Sequence, residues 1–158
     1  MDTLLLFYKI YEQDVQSEDY VDWAVYMLGN DFTSFSLTIL SSLSAPLNIF
    51  EVEDYFTKAF KELAMNKPSY DKCANYYIQF LAKQILENKG SLFEYVDEII
   101  KTVRNLDFPK HLEEWFHISE KLDDLLYGDN YFSVTKETLM ESVIDVATRQ
   151  LKEMLKEQ

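Results

Sequence analysis

Apolar residues recur every three or four positions along most of this chain, which is the period of an α-helix. The stretches 49–63, 92–106 and 112–126 all follow this rhythm. No stretch of the sequence shows the sustained alternation of apolar and polar residues, bounded by turn residues, that a half-buried strand requires. The pattern therefore predicts an all-α fold.

Capping residues, glycines and prolines divide the chain into about eight predicted helices. Ser17, Asn48, Ser69 and Ser91 are expected to cap helix N-termini, and Pro109 suits the first helical position of the seventh helix. The predicted helices cover residues 3–13, 17–29, 33–44, 48–64, 69–90, 91–106, 109–127 and 135–158.

Two of these helices depart from simple amphipathicity. The second is apolar nearly all round, with only Asp19 and Asp22 as a charged strip, so we expect it to be buried on several sides. The third has no charged residue, and its polar side consists of hydroxyls. Small hydroxyl side chains permit close helix approach and can bond to their own backbone, so we expect the third helix to lie centrally.

The composition agrees with a helical protein. The chain has 158 residues, of which 47% are apolar and 27% charged, as in ordinary globular domains, and this excludes disorder and a membrane span. Gly 3 and Pro 3 are low counts that suit helices. We therefore predict a single helical domain over residues 1–158, arranged as an antiparallel bundle or a short stack of helical hairpins.

The compartment is predicted from cysteine usage and from the N-terminus. The single cysteine, Cys73, cannot form an internal disulfide. The N-terminal segment has an apolar patch but neither a positively charged region before it nor a small-residue cleavage site. These features favour a cytoplasmic protein.

The net charge of −13 comes from 28 acidic and 15 basic residues, and a chain this negative repels the nucleic-acid backbone. No Lys or Arg occurs between Lys9 and Lys58. We call residues 10–57 the acidic window. It contains nine acids: Glu12, Asp14, Glu18, Asp19, Asp22, Asp31, Glu51, Glu53 and Asp54. Since no cation lies nearby in sequence, we expect a negative potential that attracts a basic partner, although net charge can also serve solubility alone.

Aromatic residues make up 15% of the chain, and most follow the spacing of core positions. Tyr11, Tyr20, Tyr26 and Tyr55 lie in the acidic window, where a mixture of tyrosines and acids is typical of a protein-binding surface; core or boundary packing is the other interpretation. The candidate partner-binding residues are Glu18, Asp19, Asp22, Tyr26, Asp31, Glu51, Glu53, Asp54 and Tyr55.

Candidate catalytic chemistry is sparse. Glu114 and His117 have the Glu-x-x-His spacing of a carboxylate-bridged metal site, and His111 is near them in sequence. Such a site needs a second copy of the motif, and the chain has only two His, so charged residues on a solvated helix face are the competing interpretation. Cys73 lies among apolar residues, which favours core packing over nucleophilic catalysis. We expect no metal and no cofactor.

Three segments carry a resemblance to known proteins: Tyr20–Leu28, Ser36–Leu43, and residues 50–63. Over roughly residues 17–65 the chain resembles a family of small, uncharacterised helical bacterial proteins, some of which are similar to immunity proteins of polymorphic toxins. The resemblance implies a helical fold and neutralisation of a toxin, and no functional residues transfer from it.

Three functional hypotheses follow. The first is a non-enzymatic protein-binding domain whose acidic surface docks on a basic partner, such as a nuclease-like toxin. The second is a small metal-binding protein or enzyme that uses Glu114, His117 and His111. The third is a structural or dimerisation module. Sequence alone leaves the oligomeric state open.

Overall fold

A computed structural model describes residues 1–87, 91–128 and 133–154 of the chain. The described residues form eight α-helices and contain no strand, so the all-α prediction is confirmed. The helices are α1 (Thr3–Tyr11), α2 (Ser17–Gly29), α3 (Phe35–Ser42), α4 (Ile49–Glu62), α5 (Tyr70–Leu86), α6 (Leu92–Asn105), α7 (Glu113–Tyr127) and α8 (Lys136–Met154).

Some predicted helix starts are confirmed and others are corrected. The Asn48 side chain accepts a hydrogen bond from the Phe50 amide, and Ser91 caps α6 as expected. The cap of α2 is Gln16 rather than Ser17, because the Asp19 carboxylate reaches back to the Gln16 amide.

Two other helices begin later than the sequence pattern predicts. The α3 helix begins at Phe35 behind the cap Ser34, whereas the sequence placed its start at Thr33. The α7 helix begins at Glu113, because a short 3-10 turn over Lys110–Leu112 separates it from Pro109. The predicted helix end at Gly90 and the predicted helical residues 155–158 lie outside the described residues.

Four helices end in the same way. The backbone at Gln13, Asp31, Ala64 and Asp107 has a positive φ of 58°, 65°, 52° and 59°. In each case the next residue's amide reaches back five positions, as in the bond of 3.1 Å from the Phe32 amide to the Met27 carbonyl. This is the Schellman motif, in which glycine usually occupies the left-handed position. Here other residues occupy it.

The chain divides into two compact units, Met1–Cys73 and Ala74–Gln158. In the first unit α2, α3 and α4 all pack against one another, and α1 packs against α2. Its core is rich in aromatic residues: the Phe56 ring lies 4.9 Å from the Trp23 ring and 5.0 Å from the Tyr20 ring, measured between centroids. Single-domain organisation stays a prediction.

In the second unit α7 packs against both α6 and α8. Its core contains apolar residues from α5 to α8, and Trp115 and Ile99 are almost completely buried within it. Leu126, which the sequence rhythm placed on the core face of α7, is more than half exposed, so that expectation is wrong. Its neighbour Leu125 packs against the core instead.

Candidate functional site

The acids of α2 separate into one structural residue and two exposed ones. Asp19 is buried, with 8% of its surface exposed. Its carboxylate lies 2.7 Å from the Lys9 ammonium and also accepts a hydrogen bond of 2.8 Å from the Gln16 amide. Glu18 and Asp22 are exposed. Asp19 therefore stabilises the first unit, and its charge is already compensated.

The acids of α4 also divide into residues that have a partner and one that is exposed. Asp54 forms an ion pair of 2.6 Å with Lys58, and Glu53 accepts a hydrogen bond of 3.3 Å from the Tyr20 hydroxyl. The Lys58 ammonium also lies 5.5 Å from the centre of the half-buried Tyr55 ring. Glu51, in the first turn of the helix, is exposed.

The expectation that no cation compensates the acids of the window is therefore wrong for two of them. Lys9 and Lys58 bound the window in sequence, and both fold back to pair with acids inside it. Glu12 is also engaged, because it accepts a hydrogen bond of 2.9 Å from the Tyr70 hydroxyl.

Five acids of the window remain unpaired among the described residues. Their carboxylates are exposed and have neither an ion pair nor a hydrogen bond, so their charges act on solvent and on any approaching partner. They are Asp14, Glu18, Asp22, Asp31 and Glu51. Glu12 and Glu53 keep their charges as well, because their partners are neutral tyrosine hydroxyls, so seven of the nine acids supply the negative potential of the window.

Burial of Tyr20 connects the two acidic helices. Its ring is 3% exposed and its hydroxyl reaches Glu53, so α2 and α4 are held side by side. Burial, reinforced by the Glu53 carboxylate, raises the pKa of Tyr20 to about 12. Tyr11 is also occupied, since its hydroxyl donates to the Pro68 carbonyl at 2.7 Å. Of the four tyrosines singled out in the window, Tyr26 is the exposed one.

Exposed apolar side chains accompany the unpaired acids, and of these the sequence had indicated only Tyr26. Val25, Tyr26 and Phe32 have exposed fractions of 55%, 44% and 46%. The second helix is buried on several sides, as expected, and its exposed residues are confined to one side. A nearly uniform apolar helix does not reveal in its sequence which side the neighbouring helices leave uncovered.

The third helix uses its hydroxyls as the sequence predicts. Thr38, Ser41 and Ser42 donate hydrogen bonds to carbonyls of their own helix. Ser36 is buried, and its amide and hydroxyl donate to the Glu62 carboxylate at 3.0 and 2.7 Å. These two bonds, the one from the hydroxyl above all, hold the pKa of Glu62 below its usual value.

The residues of the alternative metal site each have a different partner. Glu114 lies 2.9 Å from Arg149, and His111 Nε2 lies 2.6 Å from the Asn75 amide oxygen. His117 Nδ1 lies 3.1 Å from Glu120. The described residues contain no group of three or more His, Cys, Asp or Glu side chains placed to hold a metal ion.

Cys73 is completely buried. Burial raises the pKa of its thiol to about 11, so at neutral pH it is almost entirely in the protonated, unreactive form. A nucleophilic role would need the opposite shift.

Comparison of the chain with protein-family models, with curated proteins and with solved structures found no match. None of the helices in the described part of the chain is both long and apolar enough to span a membrane.

Proposed function

We propose that this chain is a non-enzymatic, cytoplasmic protein-binding domain whose acidic N-terminal surface docks on a basic protein. The observation that carries the proposal is the set of five exposed, unpaired acids in the first unit, which also exposes Val25, Tyr26 and Phe32. Carboxylates steer a basic partner during encounter, and apolar and tyrosine side chains supply contact area once the two proteins meet.

A toxin of the nuclease type is the partner class we favour. Such an enzyme must itself attract a polyanion and therefore carries a basic surface. The resemblance of residues 17–65 to helical bacterial proteins of immunity type agrees with this choice. Binding of the acidic surface to that basic surface would block access of the nucleic acid.

Charge-matched variants test the proposal. In the double variant Glu18→Gln/Asp22→Asn we expect affinity for the basic partner to fall about tenfold, because each exposed ion pair contributes about 0.2–1 kcal/mol. A matched control, Glu113→Gln/Asp123→Asn, removes two exposed charges from the second unit and should bind like the wild type.

The measurement is retention of basic proteins on the immobilised chain at low and at high salt, followed by titration of the purified partner. Added salt should release the partner, since screening shortens the reach of exposed charges from about 10 Å at 0.1 M to about 3 Å at 1 M. Equal losses in the test and control variants, or retention that is insensitive to salt, would contradict the proposal.

A further inference from the structure

One side of α2 is exposed to solvent, and the N-terminal ammonium of Met1 reaches it, donating a hydrogen bond of 3.3 Å to the Asp22 carbonyl. Its exposed residues are Glu18, Asp22, Val25, Tyr26 and Gly29, and every other residue of the helix is buried or half-buried. At about 100° per residue these five positions fall within an arc of about 100°, and they extend for about 16 Å along the helix axis. We call them the α2 face.

The α2 face is polar at one end and apolar at the other. Glu18 and Asp22 lie one turn apart near the N-terminus, where two unpaired like charges repel each other. Val25 and Tyr26 follow toward the C-terminal end, where they are 55% and 44% exposed.

Gly29 makes close approach possible at the apolar end. A Cβ added at this position would meet no atom within 4 Å, so the glycine leaves open space on the surface. Helices pack by fitting ridges of side chains three and four positions apart into grooves on a neighbour, and a missing side chain deepens such a groove.

From these observations we infer that the α2 face binds an amphipathic helix of the basic partner, an inference that rests on the proposed function. Apolar side chains of that helix lie against Val25 and Tyr26. Its lysines or arginines lie against Glu18 and Asp22, where they relieve the repulsion between the two carboxylates.

The negative charge of the chain favours a cationic helix over a second copy of the chain as the occupant of the α2 face. Each copy has a net charge of −13, so two copies repel each other as they approach. The α2 face itself carries two acids and no basic residue, and it therefore complements a cationic helix and not its own duplicate.

The experiment uses the full chain and two synthetic peptides of identical composition. One is a helix-forming sequence of leucine, alanine and lysine with a continuous apolar stripe, and the other is its scrambled isomer without the stripe. Binding is measured by fluorescence anisotropy, and peptide helicity by circular dichroism. We expect the striped peptide to bind at least about tenfold more tightly, since burying one or two aliphatic side chains has that effect.

Uncharged variants locate the binding site. Val25→Asn and Gly29→Gln should each weaken binding of the striped peptide and leave binding of the scrambled isomer unchanged. Phe50→Asn removes an apolar side chain of α4 that is 80% exposed and lies outside the α2 face, and it should leave both affinities unchanged. All three substitutions lie at exposed positions, so thermal unfolding should show that the variants are folded.

The results separate the two proposals. Equal affinity for both peptides, with equal sensitivity to salt, would overturn the helix-binding inference and leave the acidic docking surface standing. Binding of the striped peptide that Glu18→Gln/Asp22→Asn weakens no more than Glu113→Gln/Asp123→Asn would contradict the acidic surface itself.

Discussion

At the scale of single residues, acids that look alike in sequence perform different tasks in the fold. Asp19 and Asp22 are three positions apart on α2, yet Asp19 is buried against Lys9 and Asp22 is exposed and unpaired. Lys9 is ten residues from Asp19 and lies on another helix, so no local sequence signal could have shown the pairing. The sequence could predict which acids are candidates for partner binding. Their division into buried, paired acids and exposed, unpaired acids depends on the tertiary structure.

This division predicts opposite outcomes for two neighbouring substitutions. Asp19→Ala should lower the free energy of unfolding by about 1–2 kcal/mol, because it removes the buried carboxylate that pairs with half-buried Lys9 and caps the Gln16 amide. Asp22→Ala should change it by less than about 0.5 kcal/mol. Urea unfolding followed by tryptophan fluorescence measures both. Similar values for the two variants would show that the Lys9–Asp19 pair contributes no stability.

At the scale of the helices, the serine and asparagine caps could be predicted, whereas the left-handed residues after the helices could not. A serine or asparagine cap is a local signal, and Asn48 and Ser91 act as the sequence indicated. Glycine is the usual signal for a left-handed helix end, but Ala64 occupies this position after α4. Gly29 is the last residue of α2, as predicted, and Asp31 takes the left-handed position after it.

Opposite substitutions at these two positions should both stabilise the protein. Ala64→Gly should raise the free energy of unfolding by about 1 kcal/mol, because an alanine side chain is strained at positive φ. Gly29→Ala should raise it by about 0.5–1 kcal/mol, because alanine favours the helix and its methyl group meets open space. Urea denaturation provides the measurement, and a loss of stability in Ala64→Gly would contradict the left-handed helix end.

The contact between Glu62 and the start of α3 predicts a dependence on pH. Because the pKa of Glu62 is lowered in the folded protein, its carboxylate stabilises the fold above the ordinary pKa of 4.5, and this stabilisation is lost as the pH falls below that value. Glu62→Gln should therefore destabilise the protein at neutral pH, and its difference from the wild type should shrink in acid.

Glu51→Gln is the matched control for this measurement, since the Glu51 carboxylate is exposed and has no partner among the described residues. Its difference from the wild type should stay small throughout. Unfolding by urea at a series of pH values compares the three proteins. A Glu62→Gln difference that is constant with pH would mean that the hydrogen bonds from Ser36 do not depend on the charge.

At the scale of the whole molecule, the fold class could be predicted because helical periodicity and the scarcity of glycine and proline are properties of the entire chain. The net charge could be counted from the sequence, but the sequence could not show which charges are compensated in the fold. Lys9 and Lys58 return into the acidic window and compensate Asp19 and Asp54, so the remaining field arises from the other seven acids, five of which have no partner among the described residues. The sequence could not predict which side of α2 is exposed either, because this depends on how α3 and α4 pack against that helix.

The complete burial of Cys73 has a practical consequence for following complex formation. The chain contains no other cysteine, and this one keeps its proton at neutral pH, so thiol reagents find no reactive group on the native protein. A cysteine introduced at Gly29 would therefore be the single position that takes up a fluorescent dye. Its emission would change when a partner covers α2, and the wild-type cysteine could stay in place.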